Sequence, residues 1–460
     1  MDEKDWVLKT SIVRAMIKLG LPLGLMQALH IAYNITDMFW LGRLGRDSLA
    51  AVNATWPVVF LIVSGLVGFL QAGISLVSQY WGAKEYSSAM NAVGQVFLII
   101  VITGLPISLV AYTALPSVFE ALGVPDEVIT GAVIYGRIFS LGMVIFGVMD
   151  ATVSIFSAVG DTLTPLKVRT AGVLINVALD PILIFGLGPI PPLGIAGAAI
   201  ATLVSDLIAS LISIRILTTG IRGEKLTATN LRPNKELLTK LVKIGLPISI
   251  SSIGEAGGFT LLTAIISMLG TAALAAWGIG DRPLGLLDIF VGSLLTATTT
   301  IVGQSLGAGM LERAKQTAIK SLIYSSLITA VGVCCYVIFR YEVVTLFSPS
   351  DTEVIQNAAD FLLLMGPSIV FFVMLRAAFS IASASGHTKI VMILSLLRLW
   401  VLRNALAYLF GPGPLGMGVR GLWVGMAISN VVTGTLALAW ILKGGWLKPI
   451  ISDTSDSYTR

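Results

Sequence analysis

Two short stretches carry acids where the chain is otherwise apolar. Residues 34–42 read NITDMFWLG and close a long apolar run with one carboxylate, Asp37. Residues 176–181 read NVALDP, which sets Asn176 and Asp180 one helical turn apart, ahead of Pro181. An ionised Asp near a bilayer centre costs roughly 2.5–3.5 kcal/mol on insertion scales, so acids placed there tend to mark function. On a helix, His30, Tyr33, Asn34 and Asp37 share one face, and Asn176 and Asp180 point the same way. Pro181 cannot donate to the carbonyl of Val177, and that free oxygen beside an acid and an amide suits a proton or a small cation. Thr202 and Ser205 add hydroxyls within GIAGAAIATLVSD, whose small residues allow close backbone approach.

The elements that must hold these groups are membrane helices. Of 460 residues, 55% are hydrophobic and only 12% charged, about half the charged fraction of soluble domains. Apolar stretches long enough to span a bilayer recur along the chain without the two-residue alternation of a barrel strand. The expected fold class is therefore all-α: a polytopic membrane protein of twelve transmembrane helices. The spans fall near residues 11–39, 48–80, 88–115, 127–157, 165–187 and 192–217, then 237–268, 273–304, 314–340, 354–384, 389–410 and 416–443. The first run lacks a small-residue cleavage site and reads as a retained helix. With both termini cytoplasmic, about twenty Lys and Arg lie at inside segments and about four outside, which orients the chain in the cell membrane.

A shift of 225 residues lays the second half on the first. KLGLPL from Lys18 meets KIGLPI from Lys243, Gly45 meets Gly270, and Gln79 with Gly82-Ala83 meets Gln304 with Gly307-Ala308. The domains expected are an N-terminal lobe over 1–217, a cytoplasmic linker over 218–236, a C-terminal lobe over 237–445 and a cytoplasmic tail over 446–460. Two pseudo-symmetric lobes of six helices around a central cavity suit alternating access. The polar residues break the symmetry: Asp37 corresponds to Leu262, Asn176 to Val401 and Asp180 to Ala405. The scaffold therefore requires no acid at these positions.

Other groups are weaker candidates. Met26 and Tyr135 are candidate cavity-lining residues beside His30, Tyr33 and Asn34. Asp150 and Arg376 correspond across the repeat with a one-residue slip, as a pair between halves would. Asp206 reads as solvated near a cytoplasmic end, and Glu255 follows Pro247 by eight residues. The adjacent Cys334 and Cys335 read as core filler, and no thiol or imidazole cluster suggests a metal. The net charge of +5 lacks aromatic interleaving and reflects topology, with no nucleic-acid partner expected.

GLPLG with Asp37 fifteen residues after its Pro, then LGRLGRDSLAAV and SQYWGAKE, resembles the multidrug and toxic compound extrusion (MATE) family, and GLPIS, LGTAALAA and GQSLGAG repeat the pattern. NVALDP, with the solitary helix-one acid, is similar to the archaeal and DinF-like branch. The resemblance implies a secondary antiporter that exports amphipathic, often cationic compounds in exchange for H+ or Na+, with no other cofactor. It implies ion coupling at Asp37, Asn176, Asp180 and Thr202, where Na+ would sit, and a bend in helix one at Pro22. Glu255 matches the helix-seven acid of a second branch, whose helix-ten acid is missing here. The expected partners are small-molecule drugs or toxic cations and the lipid bilayer, with the protein a monomer. The alternatives are a lipid-linked oligosaccharide flippase, for which Arg282, Arg376, Arg398 and Arg403 speak, and an intramembrane enzyme, for which no dense catalytic cluster speaks.

Overall fold

The computed structural model describes residues 4–348 and 351–451. Twelve helices among them are long and apolar enough to cross a membrane: α1 (Ile12–Leu44), α2 (Arg46–Gly82), α3 (Tyr86–Ala121), α4 (Asp126–Ala158), α5 (Leu163–Phe185), α6 (Ile195–Thr219), α7 (Lys235–Ser267), α8 (Thr271–Gly307), α9 (Leu311–Ile338), α10 (Thr352–Ser385), α11 (Thr388–Phe410) and α12 (Gly418–Lys443). Each expected span is present, most of them longer by a few residues. In hydrocarbon a backbone has no water to bond, so the chain stays helical even through Pro22, Pro57, Pro106, Pro181 and Pro247.

The repeat is written into the backbone as well as the sequence. Gly45 and Gly270 open α2 and α8 with φ of 124° and 100°, a region where a side chain is strained. At the far ends of the same helices the amides of Ala83 and Ala308 donate to the carbonyls of Gln79 and Gln304, both at 2.9 Å. The chain resolves into two compact units. One takes in the described residues up to Val7 together with Leu25–Ser249, the other Leu8–Gly24 together with the described residues from Ile250 on. Besides the one between Val7 and Leu8, two divisions fall inside α1 and α7 at repeat-equivalent positions, 225 residues apart. They lie just after Pro22 and Pro247.

In the first unit the polar stretch before α7 is firmly seated. A short 3-10 turn, Ala228–Leu231, lies on α3. Gln95 donates to the carbonyls of Asn230 (3.0 Å) and Arg232 (2.9 Å), and its own oxygen accepts from the Asn234 amide at 2.9 Å. Gly94 makes the approach possible, because a Cβ there would meet the Asn230 oxygen at 2.0 Å. In the second unit α11 is irregular: Leu397–Arg403 forms a π-helical turn. Cys334 and Cys335 are free thiols on exposed positions of α9, so they do not fill a core.

Candidate functional site

The two acid-bearing stretches meet in the first unit. Asp37 on α1 and Asp180 on α5 lie close enough for their carboxyls to interact directly, with Tyr33, one turn before Asp37, beside them. Such a contact between two carboxyls holds only with a proton or cation between them. With the Asn176 amide oriented to satisfy both its ends, its nitrogen donates to Asp180 at 3.2 Å and its oxygen accepts from the Thr202 amide at 3.3 Å. The Thr202 hydroxyl lies 2.6 Å from that of Tyr33. Asn176 and Asp180 are wholly buried, and Asp37 and Thr202 nearly so. No basic side chain is an ion-pair partner of either acid among the described residues.

Small residues set this geometry. Gly197 lets α6 lie directly on α5, since a Cβ there would sit 2.4 Å from the Leu183 carbonyl oxygen. Five positions on, Thr202 is thereby held against Asn176. Gly172 serves the same contact lower down, where α6 presents Ala209 and Ser205.

The surroundings are layered along the helix axes. One turn beyond the site in one direction, Leu41, Ile184 and Ala198 join Val52, Tyr135 and Ala199 in an apolar cluster. In the other direction lies a cavity of about 210 Å3. Its rim toward the acids is Tyr33 and Thr202, its sides are Trp56, Phe60, Phe139 and Phe146, and its charged end holds Asp150, Arg169 and Asp206. The acid pair thus sits between an apolar plug and an aromatic chamber with a charged far end, with the Tyr33–Thr202 hydrogen bond at the threshold.

The candidate residues separate accordingly. His30 and Tyr33 line the chamber; Asn34, Met26 and Tyr135 are not among its lining residues. Met26 is buried, and Tyr135 stacks on Phe139 with ring centroids 5.8 Å apart, inside the plug. Pro22 lies in the stretch of α1 that belongs to the second unit. Two expectations are corrected. Asp206 is not a solvated end residue but pairs with Arg169 at 3.3 Å, both side chains only 20% exposed. Arg376 takes its partner from α8, Asp288, and not from Asp150. Spacing held the signal for the first: Asp206 follows Thr202 by four residues and Arg169 precedes Asn176 by seven, so both extend faces already marked as polar.

Glu255 sits differently from Asp37. Its carboxylate is met by Arg398 at 3.4 Å, so it has a resident counter-ion. No group of three or more His, Cys, Asp or Glu suited to a metal occurs among the described residues.

Comparison with known proteins follows the same lines. The MatE family model matches residues 22–182 and 247–409, two segments that begin at the repeat-equivalent Pro22 and Pro247. The probable multidrug resistance protein YoeA of Bacillus subtilis is 26% identical over 92% of each chain. The FAD transporter of Shewanella oneidensis is 27% identical over 99% of this chain and all of its own. A structure of a multidrug resistance MATE family transporter of the MOP superfamily, in an outward-facing conformation, superposes with a TM-score of 0.88 at 24% identity, covering 97% of this chain and 98% of that one. With the family model spanning well over half the chain and twelve helices fit to cross a bilayer, this protein belongs to the MatE family of multi-pass membrane transporters.

Proposed function

We propose that the protein is a secondary antiporter that extrudes amphipathic, commonly cationic compounds in exchange for H+ or Na+ by alternating access. The observation that carries this is the pair Asp37 and Asp180, buried together without a basic partner and supported by Asn176, Thr202 and Tyr33. A buried negative pair needs a cation to be stable, so ion occupancy and the local structure are linked. A proton is shared between the carboxyls; Na+ is held by carboxylate, amide and hydroxyl oxygens, the hard ligands it prefers. The aromatic chamber next to the site, with Asp150 at its far end beside the Arg169–Asp206 pair, suits the cation of an amphipathic cargo molecule through its ring faces. Family membership and the naming of YoeA as a probable multidrug resistance protein support the same reading.

Each charge entering along a 100 mV potential releases about 2.3 kcal/mol, which sustains roughly a fifty-fold cargo gradient. Binding of the ion lowers the negative charge of the pair by one, and α1, weakened at Pro22, adjusts its packing so that the chamber closes on one side. The test is efflux from proteoliposomes under a Na+ gradient without a pH difference, then under a pH difference without Na+. Wild-type protein should respond to at least one gradient and Asp37→Asn to neither. Gradient-driven efflux by Asp37→Asn at the wild-type rate would refute the assignment.

A further inference from the structure

The second unit holds a group of buried charges that ion exchange at Asp37 does not use. Its span α11 carries Arg398 and Arg403, five residues apart. On an α-helix such residues diverge by about 140°, at 3.6 residues per turn. The π-helical turn Leu397–Arg403, with its five-residue repeat, instead brings them to one side of the helix. Arg403 is well satisfied: it donates to Ser429 at 3.2 Å and to Asn430, and Asp281 lies within electrostatic reach. Arg376 is paired with Asp288 in the wall of a cavity of about 240 Å3.

Arg398 is the exception. Its side chain is 1% exposed, yet of its five N–H donors one makes a marginal contact, 3.4 Å to Glu255. Its Nε has no acceptor at all among the described residues. The guanidinium lies 4.5 Å over the ring of Phe372, and Phe372 is part of the same cavity wall as Arg376. Glu255 is a loose partner, 38% exposed and touching one end of the fork. A guanidinium over an aromatic ring, with its Nε unpaired and one terminal nitrogen weakly held, matches a planar or tetrahedral oxyanion that can accept two bonds.

We propose that Arg398 anchors an oxyanion subsite in the second unit, taking the carboxylate or phosphate of an amphipathic cargo molecule, with Glu255 as the resident anion that the cargo displaces. The π turn is the device that presents the arginine, and Phe372 is the platform. This goes beyond exchange of cations for H+ or Na+, and it makes no use of Asp37.

The experiment is equilibrium binding to the full-length protein in nanodiscs of phosphatidylcholine, with no ion gradient, using dansylglycine and its uncharged amide as probes. The acid should bind about tenfold or more tightly than the amide, the factor expected of a charge-assisted fork. Arg398→Gln should erase that preference and Arg398→Lys restore only part of it. Glu255→Gln should tighten binding of the acid severalfold, because it removes the competitor, whereas a merely structural ion pair would lose binding in both variants. Equal binding of acid and amide by the wild type, or weakened acid binding by Glu255→Gln, overturns the proposal. If Arg398→Gln does not fold, the sign of the Glu255→Gln effect decides alone. Replacing part of the lipid with phosphatidylglycerol separates the source of the oxyanion: loss of the preference there, with none on adding inorganic phosphate, assigns the subsite to a lipid headgroup and overturns the cargo assignment. Repeating the titration in an Asp37→Asn background keeps this outcome distinct from any failure of ion coupling.

Discussion

Asp37 and Asp180 differ from Asp206, Asp288 and Glu255 in lacking an arginine partner. Asp206 has Arg169, Asp288 has Arg376, and Glu255 has Arg398. A carboxylate beside a resident counter-ion has less to gain from a second cation than a bare pair has. Asp180→Asn should therefore behave as Asp37→Asn does, lowering gradient-driven efflux at least about tenfold while the chamber still binds a quaternary ammonium dye, measured by fluorescence anisotropy. Tyr33→Phe removes the 2.6 Å bond to Thr202 but no charge. Its expected effect is milder, a severalfold slower turnover with the ion dependence retained, read from initial rates at varied Na+ or pH; loss of ion dependence would place the hydroxyl in the ion site itself.

At the scale of elements, the site depends on how closely α5 and α6 approach. Gly197→Val puts a side chain where the Leu183 carbonyl oxygen now sits 2.4 Å from the Cβ position. Forcing the helices apart should cost about 1–3 kcal/mol, visible in thermal unfolding. Ion-dependent efflux should fall further than that loss of stability explains, because Thr202 is carried away from Asn176. The acids, their one-turn spacing and the span boundaries were legible in the sequence because charge and periodicity are local properties. The repeat added a comparison that exposed positions 37, 176 and 180 as departures from the scaffold. The chamber was not legible. Its aromatic sides come from α2 and α4, and the pairing of Arg169 with Asp206 is a matter of packing between helices. Nor could hydropathy foretell the π turn of α11, since a wider helical turn leaves the apolar composition of a span unchanged.

For the whole molecule, the seating of the polar stretch before α7 matters to topology. If the termini are cytoplasmic, a cysteine placed at Gly188, between α5 and α6, should react with an impermeant maleimide from outside intact cells in a Cys334→Ser, Cys335→Ser background. One at Thr229 should react only after permeabilisation; the opposite pattern would invert the orientation. The layering of the first unit has a further consequence for energy conservation. An ion held on the acid pair would meet hydrocarbon side chains at Leu41, Ile184 and Ala198 on one side and a cavity reaching charged groups on the other. Membrane gradients are dissipated by any site that is wet on both sides at once, so in the proposed exchanger the plug would keep the site from acting as a conductance. Leu41→Ser should therefore let ions through without cargo, and the cell would spend its gradient on nothing.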